Sequence, residues 1–261
     1  NMITAHSTSK SLPSDNSQQN IPAKAHVNAT LRKEVTSDVP GKTFALSILP
    51  QTSYLELWQL QNDILDHKLR SPYPDTFIIA EHPHTFTIGK NGHRSHILLS
   101  DKSLKQMGIP VFRVDRGGQA TYHGPGQIVA YPIIDIGRVG GAAKYVNALE
   151  DVIIQVMADF SLDAQRKPNQ RGVWIGGRKI GSIGIKITRR ITTHGFSINV
   201  NNDLSYFDNI IPCGEKDTEL TSMELEMGTK IKVRDVYRNL RRAFQKTFGM
   251  SAARYSRPPA H

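Results

Sequence analysis

Cysteine is almost absent from this sequence, which contains a single one, Cys213, among 261 residues. One cysteine excludes an internal disulfide, and with it a small secreted scaffold stapled by disulfides; it fits a reducing compartment, so we expect the cytoplasm. Apolar runs long enough for a transmembrane helix, roughly 18 residues, are also missing. No apolar segment follows the N-terminus, so a secretory signal is not expected.

Acidic residues are too few to balance the basic ones: 33 Lys and Arg face 23 Asp and Glu, a net charge of +10 and an isoelectric point near 9.7. Such an excess indicates an acidic partner, which composition alone leaves open among nucleic acid, an anionic membrane and an acidic protein. Residues 228–261 hold nine of the basic residues against one Asp. This stretch is either a docking surface for an acidic protein or a solvated helix face. A nucleic-acid-binding domain needs basic residues interleaved with aromatics on one face, and we expect neither a nucleic-acid nor a membrane partner.

Two regions of the sequence differ in composition and in apolar periodicity. Residues 1–43 are rich in Ser, Asn, Gln, Lys and Thr without sustained apolar periodicity, which predicts a disordered extension. Residues 44–261 carry the periodic patterns of one folded domain. Strands are predicted at 44–49, 76–81, 85–88, 111–114, 127–135, 173–175, 179–187 and 193–200, and helices at 53–70, around 145–160 and at 233–248. Without regular strand–helix–strand alternation, this order predicts an α+β domain with a mixed or mainly antiparallel sheet.

The most unusual segment is Arg116–Gln127, RGGQATYHGPGQ, in which four glycines and a proline alternate with hydrogen-bonding side chains. Glycines let a backbone approach a ligand closely and present its N–H groups. The segment is therefore either a ligand-binding loop or a glycine-rich hairpin with Tyr122 and His123 as ordinary surface residues. It contains no phosphate-loop or dinucleotide fingerprint.

Histidines offer a second candidate pattern. His82 and His84 form an H-x-H, with His93 and His96 nearby, which is a spacing compatible with a metal ion. No cluster of carboxylates or thiolates accompanies them. We therefore interpret them as loop histidines and expect no metal and no cofactor.

Two further segments contain candidate reactive groups. Lys179, in GRKIGSIGI (177–185), stands beside an apolar strand, where desolvation favours a neutral amine able to act as a base; a solvated charge at a strand edge is the alternative. Cys213, in IIPCG (210–214), lies between a proline and a glycine, in a turn that exposes a thiol. A lone cysteine is either a small buried apolar residue or a nucleophile activated by a neighbouring cation.

The segments RGGQATYHGPGQ, GRKIGSIGI, TTHGF and IPCG, together with EHPHTFTIG at 81–89, resemble in order and separation the lipoyl(octanoyl)transferase family, over roughly residues 44–249. The resemblance implies an α+β catalytic domain of the biotin/lipoate protein ligase type. It also implies transfer of an octanoyl group from octanoyl-acyl carrier protein to a lysine of lipoyl domains, in 2-oxoacid dehydrogenases and the glycine cleavage H protein, by a monomeric enzyme. The alternative is an ATP-dependent lipoate or biotin protein ligase.

By the same resemblance, Cys213 is the nucleophile that becomes acylated and Lys179 is its partner. His123 and His194 fall in matched segments, and we interpret them as positioning groups. The substrate-binding residues implied by the resemblance are Arg116, Gly117, Gly118, Gln119, Ala120, Thr121, Tyr122, His123, Ser182, Ile183, Gly184, Gly195, Phe196 and Ser197.

Overall fold

The structure of the chain is a computed structural model, which describes residues 43–211 and 218–252. The predicted N-terminal extension lies almost wholly outside the described residues, so its disorder and the domain boundaries stay predictions. The strands are β1 (Thr43–Leu49), β2 (Asp75–Ala80), β3 (Thr85–Ile88), β4 (Val111–Arg113), β5 (Ala120–His123), β6 (Gln127–Ile133), β7 (Ala164–Lys167), β8 (Gln170–Ile175), β9 (Arg178–Thr188), β10 (Ile191–Asn199) and β11 (Ser251–Ala252). The helices are α1 (Tyr54–Arg70), α2 (Asp101–Met107), α3 (Ala142–Asp159), α4 (Met223–Met227) and α5 (Val233–Phe248).

An eight-stranded sheet organises the fold, in the order β11-β1-β2-β6-β10-β9-β8-β7. The pairs β1–β11 and β1–β2 are parallel and the remaining pairs are antiparallel, so the predicted α+β domain with a mixed sheet is confirmed. A smaller sheet, β4-β3-β5, carries the middle of the glycine-rich segment as β5.

Helices cover both faces of the large sheet. On one face, α3 and α5 bury their apolar stripes in a core that includes Phe44, Phe77 and Phe244, and the rings of Phe77 and Phe244 stack with centroids 4.0 Å apart. On the other face, α1 packs Leu57 and Ile64 against β2 and β6. It also covers the beginning of β10, where Gln61 Oε1 accepts a hydrogen bond from the His194 N–H at 2.7 Å, so β9 and the following residues of β10 are left to the loop 116–119 of the small sheet.

The long periodic elements lie where the pattern predicts them. The hairpin of β8 and β9 turns at Gly176 and Gly177, whose φ angles are +53° and +91°, and α5 ends at Gly249 with φ of +61°. Five short elements, β5, β7, β11, α2 and α4, are not predicted. They are two to seven residues long, too short for a helical or strand period to stand out. No helix among residues 43–211 and 218–252 is long and apolar enough to cross a membrane.

Candidate active site

A pocket lies on β9 and the part of β10 that α1 does not cover, between the loop 116–119 and the N-terminus of α1. The elements α1, β5, β6, β9 and β10 contribute to it, together with the loop 116–119, the 3-10 helix Leu204–Asn209 and the segment after residue 217. Its lining residues are Tyr54, Arg116, Gly118, Ala120, Thr121, His123, Val129, Tyr131, Lys179, Ser182, Ile183, Gly184, His194, Gly195, Phe196, Ser197, Phe207, Thr218 and Leu220.

The floor of the pocket is made of small residues. Across β9 and β10, Ser182 pairs with Ser197 and Gly184 pairs with Gly195. Side chains alternate along a strand, and the intervening Ile183 packs towards the core on the opposite face. Four small side chains side by side leave a groove along the two strands. Val129 and Tyr131 of β6 continue this surface.

Arg116 builds one wall of the groove. Its buried guanidinium donates to the carbonyl and the hydroxyl of Thr87 (3.1 and 2.8 Å) and to the carbonyls of Gly117 and Gln119 (both 2.9 Å). The loop is also attached to β9, because the Gly117 N–H donates to the Ile185 carbonyl at 2.9 Å. The wall is therefore fixed to both sheets.

Lys179 reaches the pocket through an irregularity in β9. Val173 pairs with Gly181, whereas the next residue, Trp174, pairs with Lys179, so Ile180 is an extra residue on β9. Such a bulge reverses the alternation of faces. It places Lys179 on the same face as Ser182, three positions away, although regular alternation would place them on opposite faces.

The backbone of Lys179 also anchors the segment that follows residue 217. The Lys179 N–H donates to the Glu219 carbonyl at 2.8 Å, and the Thr221 N–H donates to the Lys179 carbonyl at 3.0 Å. Thr218 and Leu220 of this segment line the pocket. Cys213 lies outside the described residues, five positions before Thr218.

Two buried histidines lie at the pocket: His123 lines it, and His82 lies behind the lining residue Tyr131. His82 Nδ1 lies 2.7 Å from the Thr52 carbonyl, which only accepts, so Nδ1 carries the proton and Nε2 accepts from the Tyr131 hydroxyl at 2.5 Å. His123 Nδ1 donates to Gln127 Oε1 at 2.7 Å, which leaves Nε2 as an acceptor. Burial lowers the pKa of His82 to about 4 and that of His123 to about 3, the latter with a further contribution from His82. Both rings are neutral at pH 7.

His194 joins the pocket to the rim through a chain of hydrogen bonds. Its backbone has φ of +57°, and its Nε2 donates to Asp115 at 2.8 Å, so Nδ1 accepts from the Tyr54 hydroxyl at 3.4 Å. The hydrogen bond from His194, together with that from Lys186 at 2.5 Å, holds the pKa of Asp115 well below its usual range. Burial raises the pKa of the Tyr54 hydroxyl to about 12. This arrangement fixes Tyr54 as a neutral wall of the pocket.

Most residues that the sequence singles out meet in this pocket, and three stand behind it. Gly117 supports the wall through its N–H, Gln119 receives hydrogen bonds at its carbonyl, and Tyr122 is fully buried on the far face of β5, with its hydroxyl 2.7 Å from His84 Nδ1. Their part in substrate binding stays a prediction. The pocket residues that sequence reasoning missed are Tyr54, Val129, Tyr131, Phe207, Thr218 and Leu220.

Of the histidines predicted to lie in loops, His82, His84 and His93 lie outside strands and helices, and His96 is the last residue of the 3-10 helix Arg94–His96; His82 is completely buried. Within residues 43–211 and 218–252, no group of three or more His, Cys, Asp or Glu side chains is arranged to hold a metal ion. The hydrogen bonds of His82 to a carbonyl and a tyrosine hydroxyl account for its burial without a metal.

We expect stability to fall between pH 7 and pH 5 because of these buried histidines. A histidine whose folded pKa lies below 6.5, its ordinary value, contributes stability that is complete above 6.5 and is lost as the pH falls towards the folded pKa, here about 4 for His82 and about 3 for His123. Each contributes a slope of about 1.4 kcal/mol per pH unit in that window. Urea unfolding at pH 7 and pH 5 measures this loss. His82→Asn, which keeps a donor for the Thr52 carbonyl, should reduce the slope; an unchanged slope would contradict the assignment.

Comparison with known proteins gives consistent matches. A family model described as the lipoyl protein ligase A/B catalytic domain matches residues 53–245. The octanoyltransferase of Caldicellulosiruptor saccharolyticus is 45% identical over 206 residues, covering 77% of this chain and 87% of its own length. That of Christiangramia forsetii is 39% identical over 213 residues, covering 75% and 91%.

Solved structures share the fold at much lower identity. A lipoate-protein ligase A bound with ATP matches with a TM-score of 0.65 at 15% identity, covering 84% of this chain and 89% of that one. The bipartite lipoate protein ligase of Thermoplasma acidophilum matches with a TM-score of 0.64 at 15% identity, covering 82% and 87%. The catalytic domain predicted from the sequence therefore has the lipoate ligase type of fold.

Proposed function

The chain belongs to the octanoyltransferase family, and is thus a transferase, and we propose that it moves an octanoyl group from octanoyl-acyl carrier protein to a lysine of lipoyl domains through a thioester on Cys213. The observation that carries the proposal is the groove of small residues that has the Lys179 side chain at one end. Acceptors of this reaction are the lipoyl domains of 2-oxoacid dehydrogenases and the glycine cleavage H protein. The single cysteine supports a reducing compartment, the cytoplasm.

The first step is thioester exchange. The Cys213 thiolate, stabilised by the Lys179 ammonium, attacks the carbonyl carbon of the donor thioester. A new carbon–sulfur bond forms on Cys213, the donor's carbon–sulfur bond breaks, and the carrier protein leaves as its thiol after taking a proton from the Lys179 ammonium, which becomes the amine of the second step. One thioester replaces another, so the step needs no ATP. The segment 219–221, which is hydrogen-bonded to the backbone of Lys179, supports the pairing of this lysine with a residue just upstream.

The second step transfers the acyl group to nitrogen. The amine of the acceptor lysine attacks the acyl-enzyme, the Lys179 amine takes the proton that the nucleophile loses, and the Cys213 thiolate departs. The groove on Ser182, Gly184, Gly195 and Ser197 receives the eight-carbon chain, with about 0.8 kcal/mol gained per buried methylene. The Gly117 N–H is already used by the Ile185 carbonyl, so Gly118, which lines the pocket, is the residue of the loop whose N–H we assign to stabilising the tetrahedral oxyanion.

Intact-mass spectrometry after incubation with octanoyl-acyl carrier protein tests this function. We expect one octanoyl group on the wild-type chain and none on Cys213→Ala, because the chain has no second cysteine. An octanoyl adduct that persists in Cys213→Ala would refute the thioester mechanism.

The ATP-dependent ligase of the same fold is distinguished by its co-substrate. The wild-type chain is supplied with an apo lipoyl domain and either octanoyl-acyl carrier protein without ATP or free octanoate with ATP. Octanoylation in the first mixture alone supports the transferase. A strict requirement for ATP would assign the chain to the ligases instead.

A further inference from the structure

Trp174 lies against the Lys179 side chain without lining the pocket itself. The two residues are cross-strand partners on β8 and β9, and the Lys179 Nζ lies 5.2 Å from the centroid of the indole ring, which is 1% exposed. We propose that Trp174 is the positioning residue that holds the Lys179 amino group at the end of the groove. The inference rests on the function proposed above, because it assigns a task to a residue that supports Lys179 in that reaction.

The local backbone geometry brings the Trp174 ring and the Lys179 side chain together. The extra residue Ile180 turns Lys179 onto the face of β9 that Trp174 occupies on β8. Gly172, two residues before Trp174, has φ of +134°, and a Cβ there would lie 2.7 Å from the Lys179 Cε. The absence of a side chain at position 172 therefore leaves room for the Lys179 side chain to lie across the indole ring.

A buried indole is well suited to this task. The face of an aromatic ring attracts an ammonium group, and the attraction is strongest for tryptophan and where water is excluded. The ring also holds the aliphatic part of the lysine in place by contact. A flexible side chain with four rotatable bonds is thus restricted to the conformers that present its amino group to the pocket.

A second lysine shares the ring. The Lys167 Nζ lies 5.6 Å from the same centroid and donates to the Gly177 carbonyl at 2.9 Å. The ring face attracts both ammonium groups. Lys179 is therefore held against an indole whose other ammonium contact, from Lys167, is itself fixed by a hydrogen bond to the backbone.

Single-turnover transfer from preformed octanoyl-enzyme to an apo lipoyl domain tests the inference. Trp174→Met keeps an apolar side chain and removes the ring face, and we expect the maximal transfer rate to fall about tenfold with little change in the half-saturating acceptor concentration. Trp174→Phe restores an aromatic face and should stay within about threefold of the wild type. Val173→Ala is the matched control, because Val173 is buried on the same strand but faces the opposite core; it should transfer at the wild-type rate.

Fluorinated tryptophan leaves the shape of the side chain unchanged, and it provides a second test if Trp174→Met does not fold. The chain has two tryptophans, so in a Trp58→Phe background fluorinated tryptophan enters at position 174 alone. Successive fluorination weakens the negative face of the ring, and the transfer rate should fall stepwise in the same order. In parallel, acetic anhydride labelling of Lys179, followed by peptide mass spectrometry, should change in reactivity along the series.

The outcomes separate this inference from the function on which it rests. A wild-type transfer rate in Trp174→Met or across the fluorinated series would overturn the role of Trp174, and so would equal loss in Trp174→Phe or Val173→Ala. If Lys179→Met itself leaves transfer unchanged, the proposed mechanism fails instead. Loss in Lys179→Met without loss in the Trp174 variants refutes the positioning role alone.

Discussion

Replacing Lys179 by methionine should lower the rate of octanoyl transfer to the lipoyl domain by about 10²- to 10⁴-fold, the usual range for removing a general base. Methionine fills similar space against Trp174 and leaves the backbone hydrogen bonds to Glu219 and Thr221 in place. The loss is therefore chemical and not a collapse of the pocket. Stopped single-turnover assays with mass-spectrometric detection measure both steps on the same sample.

Lys179→Arg separates the two tasks that we assign to this residue. Arginine keeps the positive charge that stabilises a neighbouring thiolate but does not give up its proton. We expect octanoyl-enzyme to form in Lys179→Arg and to persist without transfer, whereas Lys179→Met should be slow in both steps. Lys105→Met, on the exposed surface of α2, serves as a control for the loss of one lysine charge. Rapid transfer by Lys179→Arg would exclude Lys179 as the base.

The sequence predicts the long elements of this fold and most of the residues that line its pocket, but not the way in which Lys179 enters it. Strand periodicity places Lys179 and Ser182 on opposite faces of β9, and only the pairing of Trp174 with Lys179 reveals the extra residue that brings them together. A bulge depends on the partner strand, and so it leaves no mark in the spacing of a single segment. Glycine at 172, whose φ of +134° disfavours other residues, is the one local signal.

The residues that reach the pocket from distant elements could not be predicted from the sequence either. Tyr54 reads as one of the apolar positions of α1, and Val129 and Tyr131 read as part of a buried strand. Each is a pocket residue because α1 covers β10 around Ile191 and His194 but not at Gly195 and Ser197, which is a property of the packing. The basic residues of α5 show the reverse case: their charge is evident in the sequence, but α5 packs on the face of the sheet opposite the pocket. Whether they dock an acidic protein stays a prediction.

Placing a larger side chain on the floor of the groove should change which acyl chains the enzyme accepts. Gly184 pairs with Gly195, two residues or about 7 Å along the strands from the Ser182–Ser197 pair and farther from Lys179. A Cβ at position 184 would lie 3.0 Å from the Arg116 Cδ and 3.4 Å from the Gly117 carbonyl oxygen, and Arg116 is held by four hydrogen bonds, so a larger side chain fills the space between the floor of the groove and this wall. Gly184→Val should therefore shorten the space for the far end of the chain.

The expected effect follows from the methylenes that lose their place. If four carbons of the octanoyl chain are displaced, about 3 kcal/mol of burial is lost, which is roughly a hundredfold or more in kcat/KM. The butanoyl chain does not extend that far, so kcat/KM for butanoyl-acyl carrier protein should stay within about threefold of the wild type. The butanoyl donor therefore serves as a control within each variant. Ser182→Val, close to Lys179, obstructs the part of the groove that every acyl chain crosses and should lower kcat/KM for both donors alike. Equal loss of octanoyl and butanoyl transfer in Gly184→Val would show that the acyl chain does not lie along β9 and β10.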